Sequence, residues 1–177
     1  MKKAILLYSS REGQTTKILQ FIATKMSGYQ CELLDLHQVG SDVTWADYDK
    51  ILVAASIRYG KFNPALYQFI EQHHKALIEG HAAFVCVNLT ARKEDEGKDT
   101  PEGSAYVQTF LKRSQWQPDT IGVFAGALQY PKYRWFDRIM IRFIMSMTGG
   151  ETDTSKPFVE YTNWNKVEKF ALSFAQD

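Results

Sequence analysis

"LLYSSREGQTTKI", residues 6–18, breaks an apolar run at two serines, passes one glycine and resumes through two threonines into a helical pattern. A hydroxyl-rich turn with a helix behind it offers unpaired backbone N–H groups and the positive end of a helix dipole, and both favour an anion. The residue types restrict which anion. A Walker loop needs Gly-Lys-Ser/Thr, and no lysine stands in that position. A dinucleotide turn needs three glycines so that backbone can approach a pyrophosphate, and only Gly13 is present. What remains is Ser9, Ser10, Thr15 and Thr16, short hydroxyls that can donate to a terminal phosphate without an obligatory cation. The stretch suits a phosphate monoester in a closed cup. A serine-rich turn that only caps its helix is the competing reading.

Outward from this stretch, four more apolar runs follow: "CELLDL" (31–36), "ILVAASI" (51–57), "AAFVCVNL" (82–89) and "IGVFAGAL" (121–128). The runs at residues 4–10, 51–57 and 82–89 are nearly continuous rather than alternating, as central parallel strands covered on both faces must be. Helical patterns lie between them. Residues 14–27 put Ile18, Ile22 and Met26 on one stripe, beside Leu19 and Ala23. "NPALYQFIEQHHKAL" (63–77) opens with Asn63 as cap and Pro64 at the first helical position, and "TPEGSAYVQTFLKRSQW" (100–116) repeats the arrangement with Thr100 and Pro101. "TNWNKVEKFALSFA" (162–175) closes the chain with Val167, Phe170, Ala171 and Phe174 facing inward. Alternating strand and helix predicts a doubly wound α/β sheet with helices on both faces, as one domain over residues 1–177. Two stretches interrupt the rhythm: a charged loop, "RKEDEGKDTPEG" (92–103), and an insert at about 129–157 between the fifth strand and the last helix.

Composition bounds the rest. The 177 residues carry a net charge of +1, so no nucleic-acid partner is expected. Cys31 and Cys86 stand alone in apolar runs and read as buried thiols in a reducing compartment. No Cys/His cluster has metal-ligand spacing, and no carboxylate pair or His-centred triad is visible, so neither a metal nor a catalytic base is assigned. His37, His73, His74 and His81 read as solvated surface residues. The opening "MKKAILLYSS" is too short in its apolar part for a secretory leader, and no stretch reaches the roughly 18 uncharged residues of a membrane span. A cytoplasmic chain is expected, one that could still lie on a membrane.

"LLYSSREGQTTKILQFI" (6–22) resembles the flavodoxin phosphate-loop signature, with Tyr8 before a hydroxyl residue, then Gly13 and Thr15. Only Leu19 departs from it, standing where alanine is usual. The resemblance implies a five-stranded parallel sheet of order 2-1-3-4-5. It also implies an FMN 5′-phosphate held by Ser10, Arg11, Glu12, Gly13, Gln14 and Thr15, mostly through backbone N–H and hydroxyl groups. The flavin ring then needs an apolar slot, and two strand ends are available. "ASIRYGKFNP" (55–64) offers Ile57, Arg58, Tyr59 for stacking and Gly60 for close approach; "VNLTARK" (87–93) offers Asn88, Leu89, Thr90 and Ala91. At this level Tyr59 could as well pack on Phe62, and Arg58 and Arg92 could be solvated charges.

More specific are "ASIRYG", "NLTARK", "SQWQPD", "AGALQYPKYRWFDRIMIRFIM" and "TGGETDT". Together they resemble the quinone-dependent protoporphyrinogen IX dehydrogenases of bacterial haem biosynthesis, over essentially the whole chain. That resemblance implies oxidation of protoporphyrinogen IX, electron delivery to menaquinone or ubiquinone, and peripheral attachment to the cytoplasmic face of the inner membrane. A homo-oligomer is left open. The insert agrees with such a role. On a helix over 134–147, Trp135, Phe136, Ile139, Met140, Phe143, Ile144 and Met147 span about half the circumference, edged by Arg134, Arg138 and Arg142 with Lys132 just before. Such a face suits a membrane interface or a flat tetrapyrrole with two propionates, and equally a helix packed on the sheet edge. Gly149 and Gly150 are expected to bring backbone close to the ligand. A flavodoxin-type electron carrier, an NAD(P)H:quinone reductase and a non-catalytic FMN-binding module are the rival functions.

Overall fold

The computed structural model describes the chain apart from Arg11, Tyr133 and Asp177, and apart from the side chains of Lys132 and Phe136. Five parallel strands form the sheet: β1 (Lys2–Ser9), β2 (Tyr29–Asp35), β3 (Lys50–Ser56), β4 (Ala82–Asn88) and β5 (Thr120–Ala125). Their order is β2-β1-β3-β4-β5, as the resemblance implied. Six helices accompany them among the described residues: α1 (Gln14–Lys25), α2 (Pro64–Gln72), α3 (His74–Glu79), α4 (Ala105–Arg113), α5 (Trp135–Met147) and α6 (Trp164–Gln176).

Alternation along each strand divides the apolar residues between two layers. Ile5, Leu7, Val53, Phe84 and Cys86 pack with Leu66, Phe69, Leu77 and Phe110 of α2, α3 and α4. Leu6, Leu52, Ala54 and Val85 pack with Ile18 and Ile22 of α1 and Val167, Ala171 and Phe174 of α6. The continuous runs are thus explained by burial on both sides. Cys86 lies fully inside, and burial pushes its thiol up to about 12. Cys31 departs from expectation: β2 is an edge strand, and its thiol is only half-buried.

Helix boundaries follow local chemistry. Asn63 accepts a hydrogen bond from the Ala65 N–H at 3.0 Å, with Pro64 at the first helical position, as predicted. The predicted single helix over 63–77 breaks at His73, whose ring is drawn inward against Trp45 (4.9 Å) and Phe69 (4.7 Å). Burial lowers the His73 pKa, so His73 is a packing residue, not a solvated one. His74 is also half-buried, its Nε2 3.2 Å from the Gln115 carbonyl. Thr100 is not a helix cap. Its hydroxyl donates to the Gly97 carbonyl and accepts from the Gly103 N–H, closing a turn, and Ser104 caps α4 instead. Gly103 is required there, since a Cβ would lie 2.0 Å from the Gly97 carbonyl oxygen.

After β5 the chain turns at Gly126 into a two-residue strand, β6 (Ala127–Leu128), which pairs antiparallel with β7 (Val159–Glu160). The predicted insert runs between these two short strands.

Candidate functional site

The register brings the carboxyl ends of four strands level: Ser9 lies beside Ala55, Ser56 beside Val87 and Asn88 beside Ala125. Their following loops meet above this edge and border an open cleft. Ser10, Glu12, Gln14 and Thr15 form one end, Ile57 to Gly60 one wall, and Asn88, Leu89, Thr90 and Arg92 the opposite wall. Ile141, Ile144 and Met145 of α5 form a roof.

At the first end, Gly13 starts α1 with φ 89° and provides no side-chain cap. Glycine tolerates that left-handed conformation. Its own N–H donates to Ser10 Oγ at 3.3 Å, and Lys17 N–H donates to its carbonyl at 3.0 Å. The N–H groups of Gln14, Thr15 and Thr16 fall in the first turn, where no intrahelical acceptor exists. Thr15 is 1% exposed and lines the cleft. The Gln14 side chain is committed elsewhere. Its amide donates to Glu160 Oε1 and Thr162 Oγ1, both at 2.9 Å, so only its backbone N–H serves the cleft. Burial alone would raise the Glu160 carboxyl, but hydrogen bonds from Lys17, Gln14 and Trp164 outweigh it and hold the pKa below its usual value. Arg11 lies outside the described residues.

The first wall is a tight hairpin. Arg58 and Lys61 exchange both backbone hydrogen bonds, at 3.0 and 3.2 Å, with Tyr59 at φ 51° and Gly60 at φ 73°. Two consecutive positive φ values define a type I′ turn, and for a tyrosine that conformation costs about 1–2 kcal/mol. The Tyr59 hydroxyl donates to Asp137 Oδ1 of α5. Arg58 is not a solvated charge. It pairs with Glu12 through Nη1 and with Asp137 through Nη2 at 2.8 Å, while its Nε is buried without a partner.

The second wall is held together by its own hydrogen bonds. Asn88 Oδ1 accepts from the Thr90 hydroxyl (2.7 Å) and the Ala91 N–H (2.9 Å), so these groups organise their own loop. Ala91 is buried beneath it and does not line the cleft. Arg92 straps this loop to the end of α5, donating to the Leu89 carbonyl (2.6 Å), the Thr148 carbonyl (3.0 Å) and Thr148 Oγ1 (2.9 Å). Gly150 admits Met145 rather than a ligand, since a Cβ there would lie 1.9 Å from the Met145 methyl group.

A family model described as "Flavodoxin domain" matches residues 5–155. The chain belongs to the flavodoxin domain family. Two curated relatives extend the likeness beyond the matched domain. "Protoporphyrinogen IX dehydrogenase [quinone]" of Escherichia coli K12 is 43% identical over 175 residues, covering 98% of this chain and 94% of the relative. The protein of that name from Leishmania major is 46% identical over 176 residues, covering 98% of this chain and 74% of the relative. Among solved structures, oxidised flavodoxin 1 of Bacillus cereus shares the fold, with a TM-score of 0.51 at 12% identity over 99% of this chain and 98% of that one.

The flavodoxin family implies a flavin cofactor, and the cleft has the donors to fit one. An uncapped helix N-terminus stands at one end and a buried, unpartnered Arg58 Nε–H in the wall. Among the described residues no group of His, Cys, Asp or Glu could hold a metal ion, and no helix is long and apolar enough to cross a membrane.

The insert of this flavodoxin-family chain carries an inverted amphipathic helix. In α5, Asp137 and Met145 face the protein. Trp135, Ile139, Phe143 and Met147, four residues apart, are 74, 49, 64 and 71% exposed. Arg134 and Arg142 are exposed beside this stripe and Arg138 is half-buried, its Nε without a partner. The predicted apolar arc is therefore present and its centre points outward. The Lys132 side chain lies outside the described residues. Asp137, Tyr106 and Ser56 were not singled out from sequence; the last two are further cleft residues.

Proposed function

We propose that this protein is an FMN-dependent oxidoreductase that converts protoporphyrinogen IX to protoporphyrin IX in haem biosynthesis. Its electrons pass to menaquinone or ubiquinone at a membrane surface on the cytoplasmic side. The observation that carries the reading is the extent of the likeness to the two dehydrogenases: each match covers 98% of the chain, so the insert lies inside it. A flavodoxin-type carrier would account for the cleft and leave the exposed apolar helix without a purpose. That helix supports a membrane role. Its apolar stripe is edged by arginines, the pattern of an interfacial helix on anionic lipid.

In this reading the first-turn N–H groups of α1 and the Ser10 and Thr15 hydroxyls hold the phosphate. Tyr59 and the Leu89–Thr90 backbone flank the ring, and Arg58 Nε–H donates to an acceptor on the ligand. Ile141, Ile144 and Met145 exclude water from above. Bound flavin would supply two-electron acceptance from the porphyrinogen and release to the quinone. The substrate loses six electrons and six protons, hence three two-electron rounds, each leaving protons for solvent or quinone. None of the four histidines lines this cleft, so no side-chain base is assigned.

The deciding assay mixes anaerobically prepared protoporphyrinogen with protein, FMN and a menaquinone analogue. Porphyrin fluorescence should rise only when all are present; a trace indifferent to the quinone would remove the enzyme assignment. Thr15→Val tests the cup. Losing a hydroxyl bonded to a charged group costs about 1.5 kcal/mol, so FMN affinity should fall about tenfold in a fluorescence titration. Unchanged affinity would place Thr15 outside the phosphate site.

A further inference from the structure

We infer that Asp137 is a positioning residue for the flavin ring, through which the insert becomes a working part of the cofactor site. The inference rests on the FMN reading above. Asp137 stands in the first turn of α5 and is 8% exposed. A carboxylate there could serve only the helix, by complementing its dipole or reaching back to the backbone N–H of the cap. Its charge does complement the dipole, but its oxygens are directed to another segment. Oδ2 accepts from Arg58 Nη2 at 2.8 Å, and Oδ1 accepts from the Tyr59 hydroxyl.

One side chain from the insert thus grips two consecutive residues of the turn that walls the cleft. The same guanidinium reaches Glu12, in the loop between β1 and α1. Three separate segments (residues 12, 58–59 and 137) are tied at one point beside the space where the ring would lie. A buried carboxylate is stable only when its oxygens are satisfied, so the arrangement holds as a unit and loosens as one. Tyr59 needs such a restraint. Its backbone is in a left-handed conformation and its ring is nearly half exposed, with the hydroxyl as its anchor to Asp137. Arg58 lies 5.2 Å from the centre of that ring, so freeing either side chain disturbs the other. With Asp137 removed, the wall no longer has a fixed face for the flavin to lie against.

The experiment is FMN titration of the full chain, read both as affinity and as the visible absorption and fluorescence quenching of bound flavin. Wild type should bind with a perturbed spectrum. Asp137→Ala should weaken binding about tenfold, the effect of losing one charge-assisted contact, and move the spectrum toward that of free FMN. Asp137→Glu should recover part of both. Tyr59→Phe, which keeps the ring and removes its anchor, should reproduce the spectral change. The double variant Asp137→Ala/Tyr59→Phe should show less than the sum of the two effects, since both break one contact. Wild-type affinity and spectrum in Asp137→Ala would overturn the inference while leaving the FMN reading intact. Failure of the wild-type chain to take up FMN would overturn both. Should Asp137→Ala be recovered unfolded, the same spectral readout on Asp137→Asn and Tyr59→Phe decides.

Discussion

Replacing Trp135 and Phe143 together by serine is expected to reduce binding to anionic vesicles about a hundredfold or more. Both side chains stand on the outer face of α5, 74 and 64% exposed, so their loss costs the fold little. Moving one such side chain from water into an apolar phase is worth about 1.5–3 kcal/mol. Two give at least about 3 kcal/mol, and each ~1.4 kcal/mol is a factor of ten. The arginines add an electrostatic share of about 1 kcal/mol each near an anionic surface, which salt screens. Arg138→Glu with Arg142→Glu should therefore weaken binding further at low salt, while leaving FMN bound. Co-sedimentation with vesicles reads the outcome. Equal sedimentation of wild type and the serine variant, or no sedimentation of either, would remove α5 as a lipid contact.

Phe84→Ala should be the most damaging core change near the site. The Phe84 ring is fully buried in β4, stacked on Phe110 with centroids 4.1 Å apart and planes 6° from parallel. Phe62 and Trp116 meet it edge-on at 5.7 and 6.2 Å. Truncating a buried phenylalanine costs about 3–5 kcal/mol. For a chain of this size each kcal/mol lowers Tm by roughly 2–4 °C, giving a drop of about 6–20 °C. Thermal denaturation followed by circular dichroism measures it. A fall of only a degree or two would mean that the aromatic cluster collapses around the gap.

What was legible in the sequence follows from what is local. Strands buried on both faces cannot alternate, so β1, β3 and β4 declared themselves. Asn63–Pro64 is a short-range cap and appears where it was read. Periodicity identified α5 and the residues that share its apolar face, but it does not say which way that face turns. Only packing does, and packing turned it outward because Asp137 and Met145 occupy the inner side. Capping at residues 100–104 misled because both Thr100 and Ser104 are competent; the Gly97–Gly103 contact decided between them. Within the site, hydroxyls and glycines of the first loop could be named, since turn and helix are contiguous. The distant partners of Arg58, Gln14 and Arg92 lie 46 to 148 positions away and leave no local trace. Asp137 was missed for that reason: beside its neighbours it reads as one more acidic residue at a helix start.

The pairing of Ala127 with Glu160 and Leu128 with Val159 places the departure and return of the chain side by side, at the rim of a sheet already complete without them. Lengthening or exchanging what lies between two such fixed points adds little to the entropy of closure, because that cost grows only slowly with span. Length is therefore free to vary in the insert while Asp137 is not: any replacement segment would have to return a carboxylate to Arg58 and Tyr59 to keep that wall of the cleft in place.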